Sequence, residues 1–294
     1  MSAHRVLGVI GGSGLYQVDG LTDVAEVTHE TPFGSPSDVI LRGQLEGVTL
    51  LFLPRHGRDH TIAPHRINAR ANVWALKELG ATHLVSVSAV GSMREEIAPG
   101  EFVVVDQFID LTKGRAATFF DEGVVAHVAF SDPVCARLSE ALAVASEASG
   151  VRVHRGGTYV CIEGPQFSTR AESLLYRSWG VSVIGMTALP EAKLAREAEL
   201  PYALLALATD YDCWHGREPT VDVASVLAVV RKNVAAARRT VGALVGILPD
   251  PKHGAVPALA SAIITPAERI SANARIRLDR LVGGQTTCRE REPS

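Results

Sequence analysis

Short apolar runs ending in glycine or polar residues alternate along this chain with longer stretches of helical periodicity, which confines the fold to a sheet with helices packed on it. Val6–Ile10 leads into Gly11-Gly12-Ser13-Gly14, and Val39–Leu41 and Val48–Leu53 flank Glu46-Gly47 in a β-hairpin over 38–53. His83–Ser88, Phe102–Val105, Thr158–Ile162, Val181–Ile184 and Tyr202–Ala208 read as further strands. Helical spacing fits Asn68–Leu79, Pro133–Ser149, Ser168–Trp179 (capped by Ser168 or Thr169), Leu189–Glu199 and the long Asp222–Gly246. Three of these stop at Gly80, Gly150 and Gly180, as glycine-terminated helices do. Ala, Val and Leu dominate a composition that is 47% hydrophobic but only 5% aromatic, which suits a buried α/β core better than a β-sandwich. The expectation is one α/β domain over residues 1–248, with a central mixed, twisted sheet flanked by helices. Residues 249–282 read as an extension with one helix from Pro266 to Leu281, and 283–294 as a disordered polar tail.

The net charge of −3 is spread over scattered Lys and Arg, so the chain offers no electrostatic footprint for nucleic acid or an anionic membrane. No uncharged apolar run approaches the roughly eighteen residues of a membrane span. The four cysteines, Cys135, Cys161, Cys213 and Cys288, form no C-x-x-C pair and fit a reducing compartment. The opening Met-Ser-Ala-His-Arg enters a strand without the features of a signal peptide, so a cytoplasmic location is expected. The expected partners are a small molecule or further copies of the chain.

Chemistry concentrates where the strands end. Tyr202–Ala208 runs straight into Thr209-Asp210-Tyr211-Asp212-Cys213-Trp214, and strand alternation would point Asp210 and Asp212 the same way. Carboxylates outside the carboxyl end of a strand sit where ligands bind in α/β sheets. Three other strand ends carry anion donors. Gly11–Gly14 offers backbone N–H groups and the Ser13 hydroxyl, although it matches neither the dinucleotide pattern nor a P-loop. Pro54-Arg55-His56-Gly57-Arg58 adds a guanidinium and an imidazole, and Ser86–Ser92 adds hydroxyls and a glycine. Any one of these is a plain turn when taken alone; convergence of all three points to an anion as small as inorganic phosphate. A metal site at His56, His60 and His65 is disfavoured because Arg55, Arg58 and Arg66 are interleaved with them.

Gly8–Leu15, Thr31–Ser37, Pro54–Arg58 with His60-Thr61, Asn68–Asn72, Glu163–Ser168, Gly185-Met186-Thr187 and Thr209–Trp214 occur in the same order in the trimeric purine nucleoside phosphorylases. The chain resembles that family over about residues 6–248, most closely its methylthioadenosine-cleaving branch. The resemblance implies a phosphorolysis in which inorganic phosphate attacks C1′ of the nucleoside and releases adenine and 5-methylthioribose 1-phosphate. It implies Ser13, Arg55, His56, Ser88, Ala89 and Thr187 as phosphate ligands. Phe167, Ser168 and Met186 would line the base and ribose, Asp210 and Asp212 would face the purine, and Val223 and Val226 would lie near the 5′-methylthio group. It implies a homotrimer in which His127 reaches a neighbouring site, with no cofactor beyond the phosphate co-substrate and no metal.

Breaking an N-glycosidic bond leaves positive charge on the sugar and negative charge on the base, so an anion is needed on one side and a proton source on the other. Asp210 is the expected acid for purine N7, with Asp212 orienting it or meeting the exocyclic amino group. A carboxylate accepts from a 6-amino group and repels a 6-oxo group, which favours adenine nucleosides. Ser13 and Ser88 keep a hydroxyl where the animal enzymes are expected to carry threonine. The valines at 223 and 226 equally suit simple helix packing, so the breadth at the 5′ position is open, and a 5′-deoxyadenosine, methylthioinosine or general purine nucleoside phosphorylase is the alternative. A binding protein without turnover is the contrasting class, which has no need of Asp210 or the phosphate donors.

Overall fold

The computed structural model describes residues 5–12, 14–215, 223–251 and 257–281, with side chains from 229 onward in the helix that opens at 223. Among these residues eleven strands form one sheet: β1 (Val6–Gly11), β2 (Thr22–Val27), β3 (Ile40–Leu45), β4 (Val48–Pro54), β5 (His83–Ser92), β6 (Phe102–Val105), β7 (Gln107–Leu111), β8 (Val153–Arg155), β9 (Thr158–Ile162), β10 (Val183–Gly185) and β11 (Tyr202–Asp210). Among the described residues six α-helices accompany them: α1 (Ala69–Glu78), α2 (Ala136–Ala148), α3 (Arg170–Ser178), α4 (Ala188–Glu197), α5 (Val223–Gly246) and α6 (Ala272–Leu281). The mixed sheet flanked by helices and the hairpin β3–β4 agree with expectation.

β4, β1, β5 and β11 run parallel at the centre, buried along nearly their whole lengths, as strands covered on both faces must be. One face packs Trp74, Leu76, Phe119, Leu194, Leu204 and Leu278 into a single apolar cluster. The other packs Leu7, Leu50, Val85, Leu138, Leu205 and Leu244.

β5 organises the site. β11 pairs with β5 from Leu84 to Gly91. On the opposite edge β1 pairs only with His83–Ser86, and β10 pairs antiparallel only with Gly91 and Ser92. Residues 87–90 therefore have no ladder neighbour on that edge among the described residues. Ala89 is exposed there, in a strand whose other residues from 83 to 90 are buried.

Several boundaries differ from the sequence reading. β2, β7 and β8 were not anticipated: β2 is an edge strand with five of six residues exposed, β8 has three residues, and neither carries an apolar alternation. The strand expected at Val181 starts at Val183, and β5 continues four residues past Ser88. The helix expected from Pro266 begins at Ala272. A 3₁₀ turn covers Ala267–Arg269, Ile270 is extended, and Ser271 Oγ accepts the Ala274 N–H, which starts a new helix there. The segment before α6 is tied to the connection from β7 to α2, where His127 N–H donates to the Ala262 carbonyl and Ile264 N–H to that of Val125. α3 is capped by Thr169, whose hydroxyl takes the Glu172 N–H while the Glu172 side chain returns to the Thr169 N–H. Among the described residues no helix is long and apolar enough to cross a membrane.

Candidate active site

The register of the parallel strands brings the anion donors to one edge. Gly11 pairs with Pro54, and Arg55 N–H donates to the Gly11 carbonyl at 2.9 Å. Ile10 pairs with Ser86, so Ser88 sits two residues beyond the last β1 pairing, at the mouth of the break in β5. From the far side, Thr187 Oγ1 comes to 2.9 Å from Ser88 Oγ, joining two residues that lie 99 apart in sequence. Tyr159 OH lies beneath both, 3.4 Å from Ser88 Oγ and accepting the Thr187 N–H at 3.4 Å. Burial pushes that phenol up to about 12, so it remains a neutral donor. Gly185 permits the approach: a Cβ there would lie 1.9 Å from Tyr159 OH. Ser13 lies outside the described residues, while its neighbour Gly14 is held by Arg238, whose Nε donates to the Gly14 carbonyl.

Arg55 is placed differently from what a surface phosphate clamp would need. Its side chain is buried, with Nε 2.5 Å from Glu191 Oε1 and Nη2 3.0 Å from Glu191 Oε2. Nη1 donates to the Val87 carbonyl and Nη2 also to that of Ile10. Four of its five hydrogens thus tie the end of β1 and the middle of β5 to α4, and Ser86 Oγ donates to the same Glu191 carboxylate at 2.5 Å. Burial pulls this guanidinium down, but the charge and hydrogen bonds of Glu191 prevail and hold it above its ordinary value. His56 stacks on His60 at 4.3 Å, and its Nδ1 is 2.8 Å from the Ile62 carbonyl. Burial, with the Arg55 charge adding, pulls His56 down to about 4. Among the described residues no group of three or more His, Cys, Asp or Glu is arranged to hold a metal ion.

The acid end lies farther along the same strands. Asp210 is opposite Gly91 on β5, three residues past Ser88, or about 10 Å at the rise of a strand. Gly91 leaves the space, since a Cβ there would lie 3.1 Å from Asp210 Oδ1 and 3.2 Å from Asp212 Cβ. The two carboxylates do not share a face through strand alternation. β11 ends at Asp210, and Asp212 opens a 3₁₀ turn at φ 51°, its N–H donating back to Asp210 Oδ1 at 2.8 Å. Asp210 Oδ2 also accepts Thr209 Oγ1–H, and Asp212 Oδ2 accepts the Ser173 hydroxyl from α3. Burial raises both acids above the ordinary carboxylate value; the charge of Asp212 adds to the rise at Asp210, against two hydrogen bonds that lower it.

Between the two ends sit Met186 and the Glu163–Ser168 loop. Gly164 takes φ 67° directly beneath Met186, whose Sδ would be 2.4 Å from a Cβ at that position. Phe167 is 51% exposed, a large aromatic without cover, and Ser168 Oγ is buried without a hydrogen-bond partner among the described residues. His127 is exposed on the long connection from β7 to α2, its backbone N–H bonded to the Ala262 carbonyl. The side chains of Val223 and Val226 lie outside the described residues.

A model of the phosphorylase superfamily matches residues 6–246. The chain belongs to the phosphorylase superfamily. Within it, the chain is 56% identical over 282 residues to the S-methyl-5′-thioadenosine phosphorylase of Geobacter sulfurreducens, covering 95% of this chain and 99% of that one. It is 53% identical to the protein of the same name from Cereibacter sphaeroides, covering 95% and 97%. Among solved structures, a methylthioadenosine phosphorylase from an antarctic soil metagenomic library superposes with a TM-score of 0.89 at 46% identity, covering 95% of this chain and 99% of that one. The methylthioadenosine phosphorylase of Schistosoma mansoni in complex with adenine does so at 0.79 and 38%, covering 83% and 91%.

Sequence reasoning missed Glu191, Tyr159 and Ser173. Glu191 had one visible signal, a carboxylate on a helix whose neighbours Ala188, Leu189 and Ala192 are all apolar. The others carry no local signal, because their partners are far away in the chain.

Proposed function

We propose that this phosphorylase cleaves S-methyl-5′-thioadenosine with inorganic phosphate to give adenine and 5-methylthioribose 1-phosphate. The observation that carries the reading is the break along one edge of β5, with hydroxyls and backbone N–H groups at Ser88-Ala89 and Thr187 at one end and the raised Asp210 carboxyl about 10 Å away at the other. That span accommodates a phosphate, a ribose and the near edge of a purine in line.

In this reading phosphate sits among Ser13, His56, Ser88, Ala89 and Thr187, with Arg55 behind it supplying positive charge and its one remaining Nη1 hydrogen. A phosphate oxygen forms the bond to C1′ as the C1′–N9 bond breaks, and the bonding pair moves into the purine ring. Asp210 delivers a proton to N7, leaves as carboxylate and is reprotonated from water. Burial, with the Asp212 charge adding, raises this carboxyl and so favours the protonated form that the transfer requires. Asp212, oriented by Ser173, accepts from the 6-amino group. Phe167 and Ser168 cover the base, Met186 meets the ribose, and Val223 and Val226 form the apolar 5′ pocket. Assembly as a homotrimer brings His127 to a neighbouring subunit's 5′ pocket, consistent with its exposure and backbone anchoring.

The test is release of adenine from methylthioadenosine, followed by chromatography, with and without phosphate. Turnover is expected only with phosphate, and Asp210→Asn is expected to lower kcat roughly 100-fold or more, the usual worth of a general acid. A preference for inosine over adenine nucleosides, or an Asp210→Asn variant as fast as wild type, would overturn the assignment.

A further inference from the structure

The connection after β7 sends Arg115 back under the nucleoside end of the site. Its side chain is only 7% exposed, and all five guanidinium hydrogens are used. Nε donates to Glu163 Oε2 at 3.0 Å; Nη1 donates to the Met186 carbonyl at 2.8 Å and the Leu189 carbonyl at 2.9 Å; Nη2 donates to the Glu163 carbonyl at 2.6 Å and the Ile162 carbonyl at 3.4 Å. Glu163 Oε2 is held a second time by the Lys113 N–H at 2.8 Å. One side chain therefore joins the end of β9, the loop that leads to Phe167 and Ser168, and the turn from β10 into α4 that carries Met186. Beside the β9–β10 pairing, the contacts of Tyr159 OH with the Thr187 N–H and of Cys161 Sγ with the Leu189 carbonyl, and the packing of Met186 over Gly164, this guanidinium ties the two separate loops directly to one another.

Resting on the nucleoside-binding reading above, we propose that Arg115 is the positioning residue of the nucleoside pocket: it sets the Met186 backbone against the Gly164–Ser168 loop while touching no substrate atom. Without the guanidinium the Glu163, Met186 and Leu189 carbonyls and the Glu163 carboxylate would each lose a donor that fixes their direction, and both loops would loosen. Arginine suits the task because its planar fork serves acceptors in several fixed directions at once, which an ammonium cannot do. Thr187 shares the turn that Arg115 holds, but it is fixed a second time by Ser88 and Tyr159, and α4 by the Arg55–Glu191 tie, so loss of Arg115 should disturb the phosphate end less than the nucleoside end.

The experiment is steady-state kinetics of Arg115→Ala and Arg115→Lys in the full chain, varying nucleoside and phosphate separately, beside thermal melting of each variant. The alanine variant is expected to raise the nucleoside KM about tenfold or more, the scale on which small misplacements act, while the phosphate KM stays within about twofold. Added guanidinium ion at millimolar concentration should lower the raised nucleoside KM in Arg115→Ala and leave wild type unchanged. Arg115→Lys, which keeps the charge and part of the hydrogen bonding, should fall between the two and covers the case in which the alanine variant does not fold. An unchanged nucleoside KM, a parallel rise of both KM values, or a melting temperature that drops with kinetics intact would overturn the proposal. Wild type that releases no adenine would instead sink the underlying functional reading, so the two failures are distinguishable.

Discussion

Replacing Glu191 by Gln tests how the phosphate end is held together. The carboxylate is 1% exposed and faces an arginine that is 2% exposed, with oxygen–nitrogen distances of 2.5 and 3.0 Å. Glutamine keeps the volume but removes the charge and turns one acceptor into a donor aimed at Arg55 or Ser86. Arg55 then stays buried with an uncompensated charge, a situation that costs about 3–5 kcal/mol when one partner of a buried pair is removed. At about 2–4 °C per kcal/mol for a chain somewhat smaller than this one, the melting temperature should fall by roughly 10 °C. The assay is urea unfolding followed by circular dichroism, with Arg280→Ala as control. Its ion pair with Glu78 is at the surface, the Arg280 side chain being 55% exposed, so the change should stay within about 1 kcal/mol. The double variant Arg55→Met with Glu191→Met should recover much of the loss in stability, because apolar replacements of a buried pair are often neutral or better. Its phosphate KM should nevertheless rise. A Glu191→Gln variant that loses no more than the surface control would refute the reasoning, since it would mean that Arg55 is solvated or finds another counter-charge.

Three further outcomes are expected. His83 is fully buried, and burial together with the Arg5 charge holds it at about 4 against 6.5 when unfolded; the unfolded chain therefore takes up the proton first, and stability falls as pH drops from 6.5 toward 4. Between pH 7 and pH 5 this amounts to about 2 kcal/mol, so urea midpoints of His83→Gln should fall less steeply over that range than those of wild type. Gly164→Ala should raise the nucleoside KM several-fold, with little change for phosphate, because the added methyl displaces Met186 at a backbone angle suited to glycine; separate KM measurements decide. Thr169→Ala removes the capping box of α3 and should cost about 1 kcal/mol in urea unfolding, with a smaller loss in Thr169→Ser.

Much of the architecture was legible because burial imprints local patterns. The continuous apolar runs at Val6–Ile10, Val48–Leu53 and Tyr202–Ala208 are buried strands, and the glycines at 80, 150 and 180 follow the ends of α1, α2 and α3 at positive φ. β2 and β8 left no such imprint, since edge strands lie largely in solvent and need not alternate. The residues of the candidate site were legible as types of donor and acid at strand ends. Their relations were not. Asp212 was expected to share a face with Asp210, yet a one-residue departure into a 3₁₀ turn, stabilised by the bond from Asp212 N–H to Asp210, sets its direction instead.

The chain's own sequence determined an α/β sheet, the strands at its centre, and the clustering of anion donors and carboxylates at strand ends, because each depends on residues close together along the backbone. The tertiary structure alone decided that β1 and β10 share one edge of β5 and leave residues 87–90 open between them. It also decided that Arg55 turns inward to Glu191, and that Arg115 joins two loops from 47 to 74 residues away. Those features depend on which distant elements the whole core brings together, and a buried charge or an unpaired carbonyl finds its partner only once that packing exists.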